Sequence, residues 1–346
     1  MTDYSAKIKE IKARLGDELL ILAHHYQKNE IVELADAIGD SLKLAQLAEN
    51  NKTAKYIVFC GVYFMAETAD ILTDDNQVVL MPDKSAGCPM ANMADMEQAQ
   101  RAWEKLTSVF GESIIPLTYI NSQADIKAFC GQRGGSTLTS GNAKKIVSWG
   151  LNQRDRVLFL PDQTLCKNTA FDRGVQEDEM AYYNPATNEI EYDGDLSRVR
   201  VILWRGYCHV HHKISLDKVE KIRADKPDAR IIVHPECQFE LVQAVDGSGS
   251  TEFIINEVKN AKVGSSFAIG TEANLVNRLI EDYADKDIVI LDTDSHCVDM
   301  SLTTLKSLCE TLEDIEKGDF AGRQVIVEKN IAEDAIRSLN VMLKLS

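Results

Sequence analysis

Val201-Ile202-Leu203-Trp204-Arg205-Gly206-Tyr207-Cys208-His209-Val210-His211-His212 reads as an apolar strand run that breaks at a glycine and leaves one cysteine and three histidines at its end. Thiolate and imidazole are the soft and borderline ligands that hold zinc or iron, so this strand end carries the donor chemistry of a metal site. Alone, such a stretch is more often a partly buried thiol beside solvated imidazoles. Its weight comes from two relatives elsewhere in the chain. Val78-Val79-Leu80-Met81-Pro82 leads to Ala86-Gly87-Cys88-Pro89-Met90, and Ile288-Val289-Ile290-Leu291 leads to Ser295-His296-Cys297.

Upstream of each cysteine stands a second strand-like run that ends in two polar groups two residues apart. Leu19-Leu20-Ile21-Leu22-Ala23 runs into His24-His25-Tyr26, Ile114-Ile115-Pro116-Leu117-Thr118 into Tyr119-Ile120-Asn121, and Arg230-Ile231-Ile232-Val233 into His234-Pro235-Glu236. In an extended chain residues i and i+2 point the same way, so each pair aims beyond the carboxyl edge of its sheet, where open α/β sheets bind ligands. A hydroxyl-bearing turn then opens a helix: Gly39-Asp40-Ser41, Thr139-Ser140-Gly141-Asn142 and Gly249-Ser250-Thr251. Such residues are ordinary N-caps, but with the free N–H groups of a helix start they also make seats for phosphate or carboxylate. Three seats point to a substrate rich in anionic groups.

The same features in the same order, three times, describe a triplicated unit. The expected class is α/β, with three homologous three-layer αβα domains and parallel sheets about a pseudo-threefold axis, over 1–106, 107–212 and 213–346. The first and third units are nearly equal in length from strand-end pair to cysteine. The middle unit is longer because of Asp172 to Arg198, a polar stretch that reads as a surface insertion.

Composition narrows the function. The chain has 346 residues, a net charge of −16 and no Lys/Arg run, which argues against nucleic acid as a partner. Met1 to Leu15 reads as a surface helix stopped by Gly16 and lacks the apolar core of a signal peptide. No apolar run approaches a membrane span, so the expectation is a cytoplasmic protein with no membrane partner, its eight cysteines reduced.

A threefold arrangement would bring Cys88, Cys208 and Cys297 together. Three such thiolates suit an iron–sulfur cluster with one iron not held by protein, or a zinc site with His211 as fourth ligand. An open iron is a Lewis acid that assists loss of water. Cys60, Cys130, Cys166 and Cys309 read as packed thiols, Cys237 as a possible cavity wall, and His25, His209 and His212 as peripheral. Val62 to Thr68 reads as a helix packed onto its sheet, and Asp70, Asp74 and Asp75 as a solvated helix end.

These residues closely resemble the quinolinate synthase A family, iron–sulfur enzymes that make quinolinate for NAD biosynthesis. The resemblance runs over nearly the whole chain and rests on Ala23-His24-His25-Tyr26-Gln27, Gly39-Asp40-Ser41-Leu42, Gly61 to Ala69, Ala86 to Ala91, Tyr119-Ile120-Asn121, Thr139 to Ala143, Gly206 to His211, His234 to Cys237, and Cys297 with Met300. It implies a [4Fe–4S] cluster on Cys88, Cys208 and Cys297 and condensation of iminoaspartate with dihydroxyacetone phosphate. Carried over by position, His24, Ser41, Tyr119, Asn121, Ser140, His211, His234, Glu236 and Thr251 would contact substrates, while Tyr26, His234 and Glu236 would handle protons. Burial would raise the Glu236 pKa towards that of a general base. The family also implies a functional link to an enzyme that produces iminoaspartate, such as L-aspartate oxidase or aspartate dehydrogenase.

The chain departs from the family pattern at His25, where Asn is usual, at the Gly-rich Gly131 to Gly135, which could alter closure over the site, and in the long Asp172 to Arg198. Two other functions compete: a zinc-dependent hydrolase centred on Cys208, His209, His211 and His212, and a non-catalytic iron–sulfur redox sensor. The choice of ligands makes a first prediction. Cys208→Ser should abolish cluster retention and activity together, whereas Cys309→Ser should change neither; iron lost from the Cys309 variant would overturn the ligand assignment.

Overall fold

A computed structural model of the chain describes residues 3–346. The helix read over Met1 to Leu15 spans Tyr4–Leu15 and stops at Gly16, while Met1 and Thr2 lie outside the described residues. β1 (Leu19–His24), β2 (Ala37–Gly39), β3 (Tyr56–Cys60) and β4 (Val78–Leu80) form a parallel sheet in the order β2-β1-β3-β4. The second sheet holds β5 (Ile114–Tyr119), β6 (Ser136–Leu138), β7 (Arg156–Leu160), β8 (Met180–Asn184), β9 (Glu189–Glu191) and β10 (Val201–Trp204), ordered β6-β5-β7-β10-β8-β9. β11 (Arg230–Val233), β12 (Gly247–Ser248), β13 (Ser266–Gly270) and β14 (Asp287–Ile290) make the third, ordered β12-β11-β13-β14. One path is thus traced three times, and the three sheets fall one each within 1–106, 107–212 and 213–346.

The stretch read as an insertion supplies the difference. β8 adds in parallel beside β10, and β9 turns back antiparallel on β8. It is tied down by its own aromatics: the Tyr183 and Trp204 rings, both fully buried, lie 5.2 Å apart, a contact with a large apolar payload.

Strand register converts the repeat from a resemblance into an alignment. Ala23 pairs with Ile38 and Cys60, Thr118 with Thr137 and Leu160, and Val233 with Ser248 and Gly270. These three residues therefore hold one position of the repeat. Counting on from them makes equivalents of His24, Tyr119 and His234, then of Tyr26, Asn121 and Glu236, and across the neighbouring strand of Ser41, Ser140 and Thr251.

The chain divides into two compact units. One comprises the chain up to Cys88 with His296–Glu328 and contains the first sheet; the other comprises Pro89–Ser295 with Lys329–Ser346 and contains the other two. In the first, Ile8 and Ile11 of the N-terminal helix, Ile21, Val58 and Leu80 of the sheet, and Leu308, Leu312 and Ile315 of the helix Leu305–Lys317 share a core. Each such side chain contributes about 1.5–3 kcal/mol when buried. The three from the closing segment together rival the net stability of a whole domain, about 5–15 kcal/mol.

One reading needs correction here, and one stretch gains a structural account. Asp70 is not solvated: its carboxylate accepts the Val327 N–H at 2.8 Å, and burial holds its pKa above the usual range. The Gly-rich stretch is a packing device. In the first and third sheets Ile21 and Ile231 donate N–H groups to Asp36 and Asp246 at 2.7 Å each. Their middle equivalent is Pro116, which has no N–H to donate. The aspartate is replaced by Gly135, packed so closely that a Cβ there would stand 1.9 Å from the Pro116 oxygen. Gly131 meets the Asp334 carbonyl of the C-terminal helix Lys329–Lys344 at the same imagined distance.

Gly135→Ala should therefore lower unfolding stability by about 1–3 kcal/mol, the usual cost of overpacking, in urea denaturation followed by circular dichroism. An unchanged midpoint would show that the turn relaxes freely.

Candidate functional site

A helix leaves its first N–H groups without intrahelical partners. The helices that follow β3, β7 and β13 begin at Tyr63, Gln163 and Ala273. The N–H groups of those residues donate to the carbonyls of Ala86, Gly206 and Ser295, each at 2.8 Å. Each acceptor stands two residues before a cysteine, so Cys88, Cys208 and Cys297 occupy equivalent, similarly anchored loops. These three are half-buried, whereas the other five cysteines are buried, and none of the eight is joined in a disulfide. Burial pushes the Cys60 thiol up to about 12 and also raises those of Cys130, Cys166 and Cys237. Those four suit packing and not ligation. Cys237 packs its sulfur against the Gly270 carbonyl at 3.9 Å.

In the first unit, three loops lie side by side. Gln27 reaches the Met300 sulfur at 3.5 Å, Lys28 the Ser301 carbonyl at 3.1 Å, and a Cβ on Gly87 would stand 3.7 Å from Asp299 Oδ1. The loops of His24, Cys88 and Cys297 are thereby neighbours. His24 is buried, its Nδ1 accepts the Tyr26 N–H at 3.2 Å, and the Tyr26 ring meets it edge-on at 4.7 Å. Ser41 is the first residue of the helix Ser41–Asn50, which Asp40 caps through the Lys43 N–H.

The second compact unit, which holds the middle and third sheets, gathers the rest. Tyr119 donates its hydroxyl to Glu236 Oε1 at 2.6 Å, and His211 Nδ1 lies 2.9 Å from Glu236 Oε2. The other ring nitrogen of His211 is 3.2 Å from Thr271 Oγ1, and the ring stacks on His234 with centroids 4.4 Å apart. Donor atoms of Cys208, His211 and Glu236 all lie within 4.8 Å of one another, a set able to hold a metal ion among the described residues. His209 and His212 are not in it. The His212 ring instead lies over Tyr207 at 4.4 Å, and burial lowers its pKa.

The third strand-end pair repeats the first: His234 Nδ1 faces the Glu236 N–H at 3.4 Å, as His24 faces Tyr26. An Nδ1 that accepts leaves the ring hydrogen on Nε2. The expectation of a raised Glu236 pKa fails. Burial does push it up, but the charges of His211 and His234 and hydrogen bonds from His211 and Tyr119 outweigh burial and hold it at about 2. Burial, reinforced by His211, drives His234 down to about 3. Asp162, fully buried, is pushed well above the carboxylate range by burial and by the charge of Glu236.

Asn121 Oδ1 is buried and has no hydrogen-bond partner among the described residues, an acceptor left for something else. Ser140 sits in a turn closed by Asn142, whose Oδ1 accepts the Thr139 N–H at 2.7 Å; the helix then starts at Ala143, later than in the other repeats. Thr251 opens the helix Thr251–Asn260. Ser140, Ser250, Asn168 and Ser248 line a cavity of about 240 Å³ in which Asn168 Oδ1 and Ser248 Oγ are unpartnered. Thr271, Asp162 and Asn168 escaped the sequence reading because they follow the third strand of each repeat, whose ends (Gly61, Pro161, Thr271) share no side-chain chemistry.

Residues 6–344 match the family described as NadA: Quinolinate synthetase A protein. Proteins named quinolinate synthase from Bacillus anthracis, Bacillus cereus (strain AH187) and Bacillus thuringiensis subsp. konkukian (strain 97-27) are each 52% identical over 343 residues, 99% of this chain and 93% of theirs.

The two shifted groups set an acid limit. Glu236 and His234 both bind protons more readily unfolded, near 4.5 and 6.5, than folded, near 2 and 3, so stability rises with pH across both windows. Acid destabilisation should begin as pH falls through about 6.5, and His234→Gln should remove the part between about 6.5 and 4.5 in pH-dependent thermal melts. Identical pH profiles would place His234 in contact with water.

Proposed function

The chain belongs to the quinolinate synthase A family, and from that membership we propose that this enzyme condenses iminoaspartate with dihydroxyacetone phosphate, giving quinolinate, phosphate and two waters for NAD biosynthesis. The observation that carries this reading is the cysteine loop built three times at equivalent places, with its cysteines half-buried while all others are buried. Three thiols in such loops suit a [4Fe–4S] cluster with one iron lacking a protein ligand. Bound there, the cluster supplies a Lewis acid that assists loss of water.

The remaining roles belong to side chains. Ser41 and Thr251 begin helices, and Ser140 holds the equivalent place one turn ahead of one; their hydroxyls with nearby N–H groups suit the phosphate and two carboxylates of the substrates. His24 and His234 present Nε2–H donors to carbonyl or carboxylate oxygen, and Asn121 an unpartnered acceptor to an amine or hydroxyl. Glu236 stands ionised and orients Tyr119 and His211 through its two oxygens. Proton transfer in condensation and ring closure falls chiefly to Tyr26, with the Glu236 carboxylate as a weak acceptor and neutral His234 holding oxygen through Nε2–H. The unstable imine substrate implies a supplying enzyme, L-aspartate oxidase or aspartate dehydrogenase.

A second reading has one specific observation in its favour: Cys208, His211 and Glu236 also make a donor set for zinc. Anaerobic purification with iron, sulfide and zinc analysis separates the two, on wild type and Cys88→Ala. About four irons and four sulfides per chain, lost in the variant, with quinolinate formed from the two substrates, is the expected result. Stoichiometric zinc without sulfide would remove the proposed Lewis acid and this function with it.

A further inference from the structure

We propose that Thr271 is a positioning residue that holds His211 through Nε2, completing a hydrogen-bonded line from Tyr119 through Glu236 and His211 to the end of β13. The inference rests on the function proposed above and concerns a residue outside the three strand-end pairs and the three cysteine loops. Tyr119 Oη to Glu236 Oε1 is 2.6 Å, Glu236 Oε2 to His211 Nδ1 is 2.9 Å, and His211 Nε2 to Thr271 Oγ1 is 3.2 Å. All four side chains are buried, with Thr271 wholly so.

Chemistry sets the direction of the line. An ionised carboxylate only accepts hydrogen bonds, so His211 Nδ1 carries the hydrogen that faces Glu236. When the ring carries only that hydrogen, Nε2 is the acceptor and the Thr271 hydroxyl donates to it. Stacking on His234 fixes the plane of the ring but does not select between its nitrogens. Glu236 selects at one nitrogen, and Thr271 selects at the other. With both nitrogens engaged, His211 is held beside Cys208 and its Nε2 stands at a defined point. Partners that orient an imidazole in this way are worth about 10–100-fold in activity at metal sites.

The residue's place in the repeat supports the assignment. Gly61 and Pro161 are the equivalents of Thr271, and neither has a side chain able to hydrogen-bond. Of the three equivalents only Thr271 carries a hydroxyl, and His211 stands opposite it.

Thr271→Val and Thr271→Ser test the proposal with two readouts. The first is kinetic, on cluster-loaded enzyme: kcat should fall about tenfold or more in the valine variant, with KM for both substrates and iron content unchanged, and return in the serine variant. The second is independent of turnover: long-range 1H–15N NMR of the histidine rings in the full chain, with His211 assigned from a His211→Gln variant. A single Nδ1–H tautomer in wild type and the serine variant, lost in the valine variant, is the expected result. An unchanged His211 tautomer in the valine variant, or a serine variant as impaired as the valine, would overturn the proposal. If wild-type holoenzyme forms no quinolinate, the functional reading falls while the ring spectra still decide the role of Thr271.

Discussion

At three places in this chain, the first N–H of a helix reaches out of its own helix to the carbonyl two residues ahead of a cysteine. A helix start always has such groups to satisfy, and here satisfying them fixes where a thiol stands. The bond needs only backbone, so it survives while the side chains around it change: Tyr63, Gln163 and Ala273 share nothing but their N–H. That independence lets one fold unit be used three times with three different sets of surrounding groups.

The identical backbone frame then shows how the units have diverged. At the strand-end positions the first unit has His24 and Tyr26, the second Tyr119 and Asn121, the third His234 and Glu236. The polarity of the site is therefore unequal between repeats. Histidine with its Nδ1 tied to the chain recurs in the first and third, while the middle unit contributes the phenol that meets Glu236. Where a backbone device itself fails, as at Pro116, a compensating change appears at its partner, Gly135.

Much of this could be read from the residues. The strand-end pairs and the cysteines were visible because they combine a period-2 apolar run with chemistry that is rare in loops, and register confirms that Ser41, Ser140 and Thr251 correspond. Thr271 was not legible, since a threonine after a strand is ordinary and its meaning comes from a histidine sixty residues away in sequence. The direction of the Glu236 pKa is hidden in the sequence for a related reason. Burial is a property that sequence hints at, whereas the two imidazoles and the phenol that outweigh it arrive only with the fold. Nor does anything in the polar stretch Asp172 to Arg198 mark β8 as a strand that pairs in parallel with β10.

The first compact unit draws its material from both ends of the sequence, the chain up to Cys88 and the segment His296–Glu328. During synthesis, β1 to β4 leave the ribosome long before Leu308, Leu312 and Ile315, which close their core. The nascent first sheet must therefore wait, partly uncovered, while the rest of the chain is made, a state exposed to aggregation and to chaperones. The same late segment brings Cys297 to the loop of Cys88. A chain that ends before this segment lacks the closed first core and the neighbour of the Cys88 loop together.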